Sequence, residues 1–471
     1  MSETLNKPDN AQTDLHLPEM RDEEDRISQE FVDAVELAIG SDNADQLRLL
    51  TNDLHEADLG DLIEALPRDE ASDLVRLLGA EFDFAALTEM DEAVRVRIVE
   101  EMPPEAVAEG VRDLDSDDAV SILEDLDQPD QEAILEQLPA AEQMPIRRAL
   151  DFPEDSAGRL IQSEFIAVPT FWTVGQTIDH MREAEDLPDD FYEIYVIDPA
   201  FRLVGSVPLD HILRAQRPTK ITEITDHESY HIASTDDQEE VARLFERYNL
   251  LAAAVTDNSG RLVGVITIDD IVDVIQEEAE EDIKRLGGVG DEEISDTVID
   301  TARSRFTWLF VNLFTAVLAS IVIAQFDGTI EQMVALAVLM PIVASMGGNA
   351  GTQTMTVAVR ALATRDLDTH NFARVVNREM LVSILNGVAM AVIVGIVTFI
   401  WFASVDLGMV IAIAMIINLF FGGLFGILIP VGLEKINVDP AIASSVFVTT
   451  VTDVVGFFAF LGLAGWWFEL L

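Results

Sequence analysis

One aspartate, Asp453, stands alone in the apolar stretch SSVFVTTVTDVVGFFAF (residues 444–460). A carboxylate at the centre of a membrane helix costs roughly 2.5 to 3.5 kcal/mol on insertion scales, so it must face a cavity, water or a partner. At helical spacing Ser445, Thr449, Asp453 and Gly456 share one stripe, while Val448, Val451, Val455 and Phe458 point elsewhere. Hydroxyls, carbonyls and a carboxylate are oxygen ligands for hard cations, so this stripe reads as the wall of a cation path. The alternative is a protonated Asp453 donating to a neighbouring helix.

A second group of carboxylates lies on the helix-like stretch DDIVDVIQEEAEEDIKRL (269–286): Asp269, Asp270, Asp273, Glu277, Glu278, Glu280, Glu281 and Asp282. Like charges three and four residues apart destabilise a helix by a few tenths of a kcal/mol per pair, so a cation is expected to offset them. The acidic runs DSDDAV (115–120) and DDQEE (236–240) are candidates to complete bridges to this helix. Mg²⁺ suits such groups, because it keeps several waters and takes one or two carboxylates. Each run taken singly reads as solvated surface. No nucleophile, His cluster or phosphate-binding loop points to an enzyme, and the seven His are scattered.

The elements that must position these groups fall into two chemically different halves. Residues 301–471 hold 7 Lys+Arg and 10 Asp+Glu, net −3; residues 1–300 hold the remaining 22 and 76, net −54. So acidic a surface repels nucleic acid and anionic head groups and collects cations, and it also fits a halophile's solvated exterior. Cysteine is absent, which excludes disulfides and thiolate metal sites. Residues 1–30 have no apolar core, so a cleavable signal peptide is not expected.

From Phe306 onward, apolar segments at roughly 306–325, 333–358, 380–404, 408–433 and 441–468 are each long enough to cross a bilayer, giving five transmembrane helices with Asp453 their one formal charge. Arg303 and Arg305, then Arg360, Arg365, Arg374 and Arg378, then Lys435 fall on alternate connections, which predicts a cytoplasmic N-terminal region and an external C-terminus. The second segment contains PIVASMGGNAGTQTMTV. Its Pro341, Gly347, Gly348 and Gly351 permit either local unwinding, with carbonyls released toward an ion, or close helix packing.

In the acidic half, Pro67, Pro103 and Pro139 recur every 36 residues, suggesting stacked helix pairs, each opened by a proline. A sharper repeat aligns IDPAFRLVGSVPLDHIL (197–213) with TDNSGRLVGVITIDDIV (256–272) at an offset of 59. This repeat resembles a tandem pair of CBS domains, α/β modules that often bind an adenine nucleotide between copies, so a nucleotide is a candidate ligand.

Over nearly the whole chain from about residue 35, the order of parts resembles the MgtE family of magnesium channels. The segments GGNAGTQ, RALATRDL, NVDPA and TDVVGF carry most of that resemblance. The polar, acidic start reads as a disordered tail (1–34), and over the rest the resemblance implies a multidomain membrane protein: an α-helical superhelix N-domain (35–158), two CBS domains (159–224 and 225–276), a connecting or plug helix (277–303) and an all-α pore domain of five helices (304–471). It further implies a homodimer in the lipid bilayer, with a Mg²⁺ path formed chiefly by the second and fifth helices of both copies. Asp453 then pairs with its dimer mate around hydrated Mg²⁺, the Thr449 and Ser445 carbonyls and Asn349 line the path, and Asp439 lies near its cytoplasmic mouth. Asp270, Asp273, Glu278, Glu281 and Asp282 match regulatory metal ligands, as do Asp237 and Glu239 of the second CBS copy and Asp117 of the N-domain. Asn249 and Ser121 stand where the family can supply Asp, which leaves the number of regulatory ions open. The function implied is a Mg²⁺ channel gated by cytosolic Mg²⁺; the rivals are an ion-coupled exchanger and a membrane-tethered sensor without transport.

Overall fold

The computed structural model describes residues 18–22, 24, 26–184, 187–188, 191–289, 298–365, 367, 371–436 and 438–470. Of the expected acidic tail, residues 1–17 lie outside these, and so do residues 290–297 of the connecting region. The chain divides into two compact units, Met1–Glu277 and Glu278–Leu471.

The first unit opens with short helices running from Gln29–Gly40 to Ala140–Leu150. Order begins earlier than expected. Arg21 pairs with Asp58 at 2.6 Å and Asp61 at 2.7 Å, Met20 packs on the core, and Phe31 and Val32 are buried. A tail reaching residue 34 is therefore corrected: apolar anchors and an arginine clamp hold its last part. Pro67, Pro103 and Pro139 each cap the start of a helix, at Arg68–Leu78, Pro104–Val111 and Ala140–Leu150. A proline there gives up no helical N–H, and its carbonyl accepts from the first turn, as Pro67 does from Glu70 N at 2.9 Å.

The 59-residue repeat folds into two like sheets. In the first, Ala167–Pro169 runs parallel to Glu193–Ile197, which pairs antiparallel with Leu203–Pro208; in the second, His231–Ala233, Ala252–Thr256 and Leu262–Thr267 do the same. Asp198 and Asp257, aligned in the sequence, accept from the backbone N–H of Arg202 at 2.9 Å and Arg261 at 3.0 Å and so fix the two turns. The turns then bond each other: Leu203 N donates to Gly260 O at 3.1 Å, and Leu262 N to Phe201 O at 3.0 Å. Ala157 and Ile161 are buried in the core of the second copy.

Five helices of the second unit are long and apolar enough to cross a membrane. The first helix, Val298–Ala324, is followed by Ala335–Ala363, Phe372–Phe402, Val405–Glu434 and Pro440–Trp467. The second helix is continuous through Gly347 and Gly348, so unwinding there is corrected in favour of packing. The physical reason is its glycine edge. A Cβ on Gly351 would come within 2.5 Å of Val448, one on Gly347 within 2.1 Å of Asn418, and one on Gly426 within 2.8 Å of the Gly351 carbonyl. Small residues on facing helices let the backbones meet, and the helix keeps its own hydrogen bonds. The helices also extend past the apolar segments, so Asp453 is not their only charge: Glu379 is buried in the third helix, its Oε1 3.5 Å from Arg378 Nε.

Candidate functional site

The first unit gathers carboxylates that are far apart in sequence. Asp117 and Asp118 sit in the first turn of Ser116–Glu124, and Asp269 and Asp270 in the first turn of the connecting helix Ile268–Gly287. Helix N-termini favour negative charge, which positions acids there without further help. Thr267 Oγ1 donates to Asp270 Oδ2 at 3.0 Å, and Gln162 Nε2 donates to Asp115 Oδ2 at 2.7 Å.

Crowding shows in the proton affinities. Burial, then Asp270 and Asp118, lifts the Asp117 carboxyl well above its usual range. Burial and Asp269 push Asp270 up to about 7, and burial with Asp115 and Asp269 pushes Asp118 up to about 6. Asp117 Oδ1 is buried with no hydrogen-bond partner among the described residues. An orphaned carboxylate oxygen beside other carboxylates is costly until a proton or a cation meets it, so the donor set fits a hard divalent ion. Among the described residues no three His or acidic side chains stand as a metal-ligand group.

Glu89 and Glu56 were not singled out in the sequence, because they stand outside the acidic runs. Burial and then Asp273 and Glu56 raise Glu89; burial and Asp269 raise Asp273. Asp237 is an exposed N-cap whose Oδ1 accepts from Glu239 N at 3.0 Å, and Glu239 lies 3.9 Å from Arg243. Asn249 ends the same helix at φ 52°, a left-handed position that asparagine tolerates.

In the second unit, Glu281, Asp282 and Asp439 come together, but around a cation already in the chain. Arg285 pairs with Glu281 one turn before it, and its Nη1 donates to Asp439 Oδ2 at 2.6 Å. Asp439 Oδ1 accepts from Ala441 N at 2.7 Å and caps the fifth helix. Burial and then Asp439 raise Asp282, against the pull of Arg360. Leu286 packs on Met355, Val359, Ala441 and Val448, joining the end of the connecting helix to the second and fifth helices. Glu278 lies a turn before Asp282 and is half-buried. The i,i+4 spacing of Glu281 and Arg285 marks that pair in the sequence, while no local spacing marks Asp439.

The second helix presents Ser345, Asn349, Thr352, Gln353 and Thr356 at its surface, a polar stripe at helical spacing inside an apolar segment. On the fifth helix Thr449 is exposed, and Ser445 and Asp453 are partly so. Thr449 Oγ1 donates to Ser445 O at 2.8 Å and Thr452 Oγ1 to Thr449 O at 3.0 Å, so each of these carbonyls accepts a hydroxyl in addition to its helical N–H. The Asp453 carboxyl makes no hydrogen bond or ion pair among the described residues. Gly456 belongs to the other side of this helix, where a Cβ would come within 2.6 Å of Asn418, so the stripe through Asp453 ends before it. Polar groups spread along one face of a membrane helix are expensive against lipid, and this face calls for water or another protein.

Three family models match the chain: a divalent cation transporter over residues 340–463, an MgtE intracellular N domain over 54–155 and a CBS domain over 221–277. The magnesium transporter MgtE of Bacillus subtilis is 30% identical over 418 residues, covering 88% of this chain and 93% of the relative. That of Thermus thermophilus is 32% identical over 436 residues, covering 87% and 96%. Among solved structures, the cytosolic domain of the Mg²⁺ channel MgtE in complex with ATP is 27% identical and covers 52% of this chain and 99% of its own, at a TM-score of 0.47. With its N-domain, its CBS repeat and its five apolar helices all in family order, the chain belongs to the MgtE family of divalent cation transporters.

Proposed function

We propose that this protein is a Mg²⁺ channel, working as a homodimer in the cell membrane and gated by cytosolic Mg²⁺. The observation that carries the reading is the polar face of the second helix, together with the unpartnered Asp453 and exposed Thr449 on the fifth. A single chain leaves these groups uncovered in an apolar setting; a second copy placed against them would enclose a wet path with two Asp453 carboxylates. The N-terminal unit is read as cytoplasmic and the C-terminus as external, supported by the arginines of alternate connections.

Gating follows from the carboxylates of the first unit. Asp117, Asp118, Asp269 and Asp270 would hold the regulatory ion, with Glu89 and Asp273 nearby in charge, and the bound ion supplies the positive charge that lets these acids stay ionised and close together. Without it they repel, the N-domain and the start of the connecting helix lose their mutual hold, and the closed arrangement loses its advantage. The connecting helix is continuous, and at its far end Arg285 ties Glu281 to Asp439 at the start of the fifth helix. A nucleotide at the CBS pair rests on the repeat alone. A small cleft lined by Gln162, Tyr195, Val265 and Thr267 holds about 20 Å³, too little for an adenine ring as it stands.

Mg²⁺ uptake into proteoliposomes tests the pore. Asp453→Ala is expected to abolish most of the flux, and unchanged flux would sink the assignment. Flux that follows a Na⁺ or H⁺ gradient and shows no single-channel currents would favour the exchanger instead.

A further inference from the structure

The helical N-domain contains a cavity of about 680 Å³ that the cation chemistry above does not use. It opens between Arg68–Leu78, Glu92–Glu101 and Pro104–Val111. The floor is apolar. Val75, Ile98, Phe82 and Phe84 are buried there, and the two rings meet edge to face with centroids 5.4 Å apart. Gly110 sets the floor's depth, because a Cβ on it would come within 2.2 Å of the Phe84 ring.

The rim has one sign. Asp83, Glu101, Glu109 and Asp113 line it, and the basic lining residue, Arg76, is already paired with Asp73 at 2.6 Å. Glu101, Glu109 and Asp113 have no side-chain hydrogen bond or ion pair among the described residues. Ser72 Oγ, also lining the cavity, is buried without a hydrogen-bond partner.

Pockets of roughly 300 to 1,000 Å³ are the size that takes small organic ligands. The rim repels anions. A bare metal ion leaves the aromatic floor unused, and a neutral apolar molecule leaves the carboxylates unmet. A chain of methylenes with ammonium ends satisfies both, its body against Phe82, Phe84 and Val75 and its charges on the rim. We propose that this cavity is a binding site for an organic cation with an extended apolar body, recognised jointly by the aromatic floor and the carboxylate rim.

Calorimetric titration of the full chain in detergent, in Mg²⁺ and at fixed ionic strength, with diaminobutane and diaminodecane tests this. The two probes carry equal charge, so general attraction to an acidic surface treats them alike. The expected result is one site per chain and tighter binding of the longer diamine, by roughly fourfold for each methylene that reaches the floor. Ala106→Trp fills the cavity from its half-buried wall and should weaken diaminodecane at least tenfold. Glu109→Gln with Asp113→Asn, both exposed and safe for folding, should weaken both diamines and leave the length dependence. Equal affinity for the two probes, many weak sites, or binding indifferent to both sets of substitutions would overturn the proposal. Binding of a basic amphipathic peptide but of neither diamine would overturn it too, and would assign the cavity to a protein partner.

Discussion

Replacing Asp118 by Asn removes one charge from the carboxylate cluster at little change in shape. Its carboxyl is lifted from an ordinary 3.8 to about 6, first by burial and then by Asp115, Asp269, Glu56 and Glu89. At 1.36 kcal/mol per pH unit, that lift corresponds to ~3 kcal/mol as an upper limit, and partial solvent access brings the expected effect to about 1–3 kcal/mol. The sign follows from the direction of the lift. A carboxyl whose folded pKa lies above its unfolded one binds more protons in the folded state, so its contribution is fully favourable below pH ~4 and is lost as pH rises toward 6. In a chelator at pH 8 the wild type therefore carries this penalty and Asp118→Asn does not. Hydrogen exchange of the full chain in detergent, normalised for intrinsic rates, reads the opening of Ser116–Glu124 directly. The variant should open less readily in chelator at pH 8, lose much of its pH dependence between 4 and 7, and gain less protection from added Mg²⁺. A variant that opens more readily in chelator at pH 8 would show that Asp118 is held by favourable contacts and refute the reasoning.

Other substitutions probe the remaining features. Arg285→Gln strips the internal cation from Glu281 and Asp439 and should cost about 1–3 kcal/mol of stability at low Mg²⁺, regained as Mg²⁺ is added; thermal melts across a Mg²⁺ series check it. Asn418→Ala loses the 2.8 Å bond from Nδ2 to the Val343 carbonyl and opens space beside Gly347 and Gly456, so melting in detergent should fall by an amount equivalent to about 1–3 kcal/mol. Gly351→Leu collides with Val448 and should abolish folding of the membrane unit, measured as loss of monodisperse protein on size exclusion. Neutralising Glu278, Glu281 and Asp282 together should raise open probability at high cytosolic Mg²⁺ in single-channel recordings.

Much of the architecture was legible because it is written in local periods. Twenty-residue apolar segments, a 36-residue proline spacing and a 59-residue repeat all survive without knowledge of contacts. Asp453 was legible for the opposite reason, as a violation of its surroundings. What escaped depends on pairs that only folding defines. Arg285 meets Asp439 across 154 positions, and nothing near either residue announces the other. Glu89 and Glu56 carry no local signature and matter only because the chain returns to them. The glycines of the second helix were ambiguous for a physical reason: a missing side chain permits both unwinding and close approach. Asn418 decides between them, since its side chain occupies the space beside Gly347 and bonds the carbonyl of Val343.

The duplicated turns have one more consequence. Position 201 in the first copy and position 260 in the second occupy the same place and share a left-handed backbone, φ 63° and 75°. The second copy uses glycine there, while the first uses Phe201, whose ring is about half exposed at 52%. A Cβ in that conformation carries strain of roughly 1–2 kcal/mol, so one half of the pair has relaxed a joint that the other still holds bent. A gene that copies a fold also keeps a control beside the experiment. Grafting the second copy's choice onto the first, as Phe201→Gly, should relieve that strain, and any loss of function would reveal what the exposed ring was kept for.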